Sequence, residues 1–118
     1  MTYPRTRKEI RRALRDLPAV RYALNSMRAQ LRYCNLEDVD EISKRLAQTD
    51  DYIHIINDAI DHIPVQDQEV LRICIGTDGP WQAAVAETLG ISESAACRRL
   101  KAAMRSLQIA LTGNADDI

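Results

Sequence analysis

The stretch GISESAACRRL, Gly90 to Leu100, decides how this chain is read. Gly90 follows the aliphatic run WQAAVAETL (81–89) and suits the left-handed end of a helix. Ser92 can cap a new helix, with Glu93 in its first turn, where a carboxylate favours the positive helix end. Within that helix Ala96, Leu100, Ala103 and Leu107 recur at spacings of four, three and four, which makes one inward stripe. The opposite face carries Ser94, Cys97, Arg98, Lys101 and Arg105, with Arg99 on a flank. The unit is a helix, a short glycine turn and a second helix, and the small inward Ala96 allows the two to cross closely.

Upstream, Pro80 suits the first turn of the helix over 81–89, whose apolar face is Val85, Ala86 and Leu89. Gly76–Pro80 is the turn-rich stretch before it, and VLRICI (70–75) predicts a short amphipathic helix after Pro64. The first 63 residues follow another pattern. Ile10, Ala13, Leu17, Val20, Leu24, Met27, Leu31 and Cys34 form one seam; Val39, Ile42, Leu46, Thr49, Ile53, Ile56, Ile60 and Ile63 form a second. Pairing Cys34 with Val39 and Ile10 with Ile63 gives position numbers that sum to 73, and so does every pair between. That constancy predicts an antiparallel hairpin, with Asn35 capping its second helix above Glu37 and Asp38. Pro18 lies inside the first helix and predicts a bend or break near Asp16–Pro18.

These elements predict an all-α fold: a helical hairpin over 1–63, a three-helix unit over 64–112 and a disordered tail over 113–118. With 46% apolar residues, four Gly, four Pro and no Phe, the composition suits helices better than sheets. The net charge of −1 conceals strong segregation, with +7 over residues 1–33, −8 over 34–70 and +2 over 71–111. Local field rather than net charge decides what such a surface attracts. The two blocks are expected to answer each other as Arg12 with Asp61, Arg15 with Asp58 and Arg32 with Glu41, leaving Arg5, Arg7 and Lys8 as the cations most available to phosphate. Cys34, Cys74 and Cys97 are odd in number and widely spaced, which suggests reduced thiols rather than a disulfide framework or a zinc site. His54 and His62 lie near Asp58 and Asp61 without a third nitrogen or sulfur ligand, and read as surface or structural histidines. No metal, cofactor or catalytic set is expected, nor a membrane span or signal peptide, and the expected location is the cytoplasm.

Residues 63–107 resemble region four of bacterial sigma factors. The landmarks are Ile63-Pro64, Val70-Leu71, Gly76 or Gly79, Val85-Ala86, Leu89-Gly90-Ile91-Ser92, Arg98-Arg99-Leu100, Ala103 and Leu107. Trp81 stands where that family has a capping Ser or Thr, and Ala96 where it has Val. The hairpin, with no second DNA-binding domain, is most similar to small phage transcription regulators of the ArpU and RinA kind. The resemblance implies a helix-turn-helix that binds double-stranded DNA. Ser92, Glu93, Ser94, Cys97 and Arg98 would face bases and phosphate at the start of the recognition helix, while Arg99, Lys101, Arg105 and the backbone amides near Trp81 and Gln82 would hold the DNA backbone. RNA polymerase and a second copy joined through the hairpin are the further partners it suggests. Two other readings remain open here: a protein-interaction module working through the hairpin, and a small DNA-packaging subunit.

Overall fold

A computed structural model describes residues 3–114, and among them every regular element is helical. In chain order these are α1 (Arg7–Tyr33), α2 (Leu36–Asp61), α3 (Val65–Cys74), α4 (Trp81–Leu89) and α5 (Glu93–Thr112). The part of the expected disordered tail beyond Asn114 lies outside the described residues. Gly113 closes α5 in the left-handed conformation, and the Thr112 hydroxyl accepts from the amide of Asn114.

Helix α1 starts in a capping box that links Thr6 and Glu9. The Glu9 amide donates to Thr6 Oγ1 (3.1 Å), and Glu9 Oε1 accepts from the Thr6 amide (3.3 Å). Asn35 occupies the N-cap of α2 but makes no side-chain cap bond, so the expected Asn35 cap is corrected. The acidic first turn, Glu37 and Asp38, is left to favour that helix end. Helix α3 begins five residues before the expected 70–75 segment, directly after Pro64. The side-chain amide of Gln68 folds back to the carbonyls of Ile63 (2.9 Å) and Asp61 (3.1 Å), which satisfies the end of α2.

The two long helices run antiparallel, but the expected charge partners do not form. Among the described residues, Arg28 pairs with Asp50 (3.6 Å) and Arg21 donates to Asn57 (2.9 Å). Asp61 is held by Arg72 of α3 (3.4 Å) and Asp58 by His62 (3.6 Å). Both cross-helix pairs have position numbers that sum to 78, five more than the 73 expected of the seam. Residues beside a seam reach their partners about one turn along the helix, because side chains lean toward the helix N-terminus instead of meeting head-on.

One continuous apolar cluster joins the base of the α1–α2 pair to the other three helices. Ile10, Leu14 and Leu17 meet Ile56, Ile60 and Ile63, then Val70, Leu71 and Cys74, Trp81 and Val85, and Ala96, Leu100, Ala103 and Leu107. The boundary expected at residue 63 is therefore crossed by the core itself. The far part of the pair differs. There Val20, Met27, Leu31, Cys34, Val39, Ile42 and Leu46 remain half-buried.

Of the bend or break expected near Asp16–Pro18, there is no break: α1 runs continuously through Pro18. A proline lacks the N–H that would bond the carbonyl four residues earlier, here that of Leu14. The Gly76 amide supplies the missing donor to Leu14 O (3.4 Å) from the loop after α3. Gly76 adopts φ +76°, and a Cβ there would stand 2.9 Å from Pro18 Cγ. Proline and glycine thus form one joint: the ring leaves a carbonyl open, and the loop backbone comes close enough to cap it.

Candidate nucleic-acid interface

The Gly76 joint sets where α4 begins. Thr77 donates from its hydroxyl to Ile73 O (2.7 Å), and Thr77 O accepts from the Trp81 indole N–H (2.9 Å). The guanidinium of Arg11 sits 5.5 Å from the Trp81 ring centroid, a cation over the negative face of the ring. The Trp81 side chain is therefore a buried core anchor, with its backbone at the head of α4. Helix α4 ends at Gly90, φ +65°, and the Ile91 amide returns to Ala86 O (3.0 Å). Ser92 then caps α5, its hydroxyl accepting from the Ala95 amide (3.1 Å). Gln82 near the start of α4 donates to Glu93 O (3.2 Å) at the start of α5, which locks the two helix beginnings together.

The inward stripe is as expected: Ala96, Leu100, Ala103 and Leu107 are buried. Met104 and Gln108 are buried beside them, and neither was singled out from the sequence. Gln108 donates to the carbonyl of Arg5 (3.0 Å), which ties the end of α5 to the segment before α1. Ser92, Glu93, Ser94, Arg98, Lys101 and Arg105 are exposed, while Cys97 and Arg99 are half-buried. Ser94, Arg98, Lys101 and Arg105 are spaced four, three and four apart, so a helix of 3.6 residues per turn lines them on one face. The side chain of Gln82 is spent on Glu93, and its backbone amide remains at the helix head.

Two cations of α1 join this surface: Arg11, which the sequence does not single out, and Arg15, which it sets against Asp58. Arg11 and Arg15 line a shallow cleft of about 250 Å³ with Gly79, Pro80, Trp81, Gln82 and Leu100. The expected pairing of Arg15 with Asp58 is corrected: Arg15 lies toward the head of α4. Their spacing of four on α1 was legible; which surface they would face depended on where α4 docks. Arg7, Lys8 and Arg11 border a neighbouring recess, so the positive face of α1 continues past the cleft.

His62 Nδ1 is 2.7 Å from the Asp58 carbonyl and 3.6 Å from its carboxylate. The carbonyl first, and then the carboxylate, favour the protonated ring and raise its pKa above the ordinary histidine value. Any stability this adds is present at acid pH and fades as pH rises through the raised value. No group of three His, Cys, Asp or Glu among the described residues could hold a metal ion, and no helix among them is long and apolar enough to cross a membrane. Burial pushes the Cys74 thiol up to about 11, with Arg11 acting weakly the other way. Alkylation of the native chain should therefore modify Cys34 and Cys97 at least about tenfold faster than Cys74, which should react at their rate only on unfolding. Mass spectrometry of timed samples checks this.

No family model matches this chain, and no curated protein or solved structure matches it either.

Proposed function

We propose that this chain is a sequence-specific DNA-binding transcription regulator whose helix-turn-helix is formed by α4 and α5, similar to sigma region four as phage regulators use it. In this reading α3 and α4 are the scaffold, α5 is the recognition helix and the α1–α2 pair is a helical hairpin. The observation that carries it is the α4–α5 junction. A left-handed Gly90 and a Ser92 cap turn the chain into a helix that buries one stripe completely and offers Ser94, Arg98, Lys101 and Arg105 on the other side. A helix seated this way has its capped end and first two turns free to enter a major groove. Arginine can pair bidentately with guanine there, and serine can contact either a base or phosphate. Arg11 and Arg15 beside the head of α4 add a second positive strip, suited to the phosphates that flank the groove.

Separating base reading from phosphate attraction tests the assignment. Arg98 lies between one and two turns beyond the cap, while Lys101 and Arg105 lie further along the helix. On a site chosen by selection from random DNA, Arg98→Ala should weaken binding by about 1–3 kcal/mol, with a much smaller loss on random sequence. Lys101→Ala should weaken both by similar factors. Equal losses on both DNAs for Arg98→Ala would move the reading to a protein-interaction module with a basic surface helix.

A further inference from the structure

We propose that residues 3–6 form a strap latched by Gln108, whose local opening uncaps α1 and releases the end of α5 from it while the core stays folded. The device stands whether or not α5 reads DNA.

Every residue of this short segment is held. The Tyr3 ring stacks on Tyr52 of α2, with centroids 6.1 Å apart and planes 10° from parallel. Pro4 is buried. The Arg5 carbonyl accepts from the side-chain amide of Gln108, near the end of α5 (3.0 Å). Thr6 then caps α1: its hydroxyl accepts from the Glu9 amide (3.1 Å) and its carbonyl from the Ile10 amide (2.9 Å). A stretch with no regular structure of its own thus ties α1, α2 and α5 together.

Gln108 makes this a latch and not ordinary packing. It is 1% exposed and stands beside Met104 and Leu107 on the buried side of α5. A leucine, close to it in size, would fill that place with no polar atom to satisfy. The side-chain oxygen of Gln108 has no hydrogen-bond partner among the described residues. A buried amide satisfied on one side only costs stability, and the best-attested use of a lone buried polar group is to fix register between helices. Here the register is that of the end of α5 against the start of α1. Opening the strap admits water to the unpaired oxygen and returns part of what closure gains, so the strap opens far more readily than the core. Tyr3, 41% exposed, is its shallow end.

Opening acts on two helices at once. With Thr6 displaced, the Glu9 and Ile10 amides lose their acceptors, and a helix without its cap frays from the first turn. That turn carries Arg7 and Lys8, which border the recess they share with Arg11. The strap is therefore where the placement of these cations against α5 can change without unfolding the chain.

The peptide bond between Arg5 and Thr6 reports on the strap directly. Arg5 is exposed, but trypsin must take the carbonyl oxygen that Gln108 holds, so it cuts only the open form. Timed digestion of the full chain, read by mass spectrometry, should show Gln108→Leu losing residues 1–5 about three- to tenfold faster than the parent, the factor that one lost hydrogen bond allows. Its urea midpoint should equal or exceed the parent's, because the unsatisfied oxygen goes as well. Tyr3→Ala changes an exposed position outside the core and should speed the cut about two- to tenfold. In both variants hydrogen exchange at the Glu9 and Ile10 amides should accelerate by the same factor as the cut, with core amides unchanged. Cutting as slow as the parent's in both variants overturns the proposal. A Gln108→Leu chain with a lowered urea midpoint also overturns it, since the glutamine is then an ordinary stabilising contact. So does faster cutting without faster exchange at Glu9 and Ile10, which would separate the strap from the cap.

Discussion

Gly76→Ala lowers the stability of this fold by about 2–4 kcal/mol, the sum of left-handed backbone strain and overpacking against a fixed neighbour. Both contributions have a visible source. The residue sits at φ +76°, and the added methyl would meet Pro18 Cγ at 2.9 Å. The neighbour can yield only by repuckering its ring, since the pyrrolidine is held to the backbone at both Cα and N and cannot swing away. Moving the loop outward instead would stretch the Gly76 amide away from Leu14 O and leave that carbonyl without a donor. Against a total of about 5–15 kcal/mol for a domain of this size, the loss is severe, and urea unfolding should show it as a lowered midpoint with an unchanged slope. Gly79→Ala is the control: nothing lies within 4 Å of its added methyl, and the change should stay within about 0.5 kcal/mol. Repeating Gly76→Ala in a Pro18→Ala chain separates the two causes. Without the ring atom the clash is gone and only the strain of about 1–2 kcal/mol should remain. A Gly76→Ala chain as stable as the parent would mean that the loop does not rest on Pro18.

The second large effect concerns salt and bears on the DNA-binding proposal. Arg99, Lys101 and Arg105, with Arg11 and Arg15 beside the head of α4, give roughly four to six phosphate contacts per chain. Each contact releases condensed counterion, so the logarithm of affinity should fall with that of salt at a slope of about −0.9 per contact. Between about 50 and 200 mM salt the affinity should drop on the order of 10²–10³, measured by fluorescence anisotropy on a labelled duplex. Arg11→Ala and Arg15→Ala should each make the slope shallower by about 1 if the α1 strip engages phosphate, without changing which sequence is preferred. An affinity indifferent to salt over this range would sink the DNA-binding proposal altogether.

Short-range chemistry was readable from the residues in order. The left-handed Gly90, the Ser92 cap and the buried stripe from Ala96 to Leu107 each depend on groups within four positions of one another, and backbone sterics and helix periodicity decide those without help from the rest of the chain. The antiparallel order of α1 and α2 was legible for a related reason: a constant sum along two seams is a property of spacing alone. Local rules misjudged Asn35, whose side chain makes no cap bond, and at Pro18 they left a break open that the continuous α1 does not show.

What only the tertiary structure decided is every contact between residues far apart in the chain. Gly76 gives the Leu14 carbonyl its donor, Gln108 bonds the carbonyl of Arg5, and Arg11 stacks on Trp81. Arg15 faces the head of α4 instead of Asp58 for the same kind of reason. Spacing specifies which side of a helix a residue occupies but not which helix will cover that side. That choice came from filling one continuous core, where the base of the long pair is covered by α3 to α5 and its far half is left open.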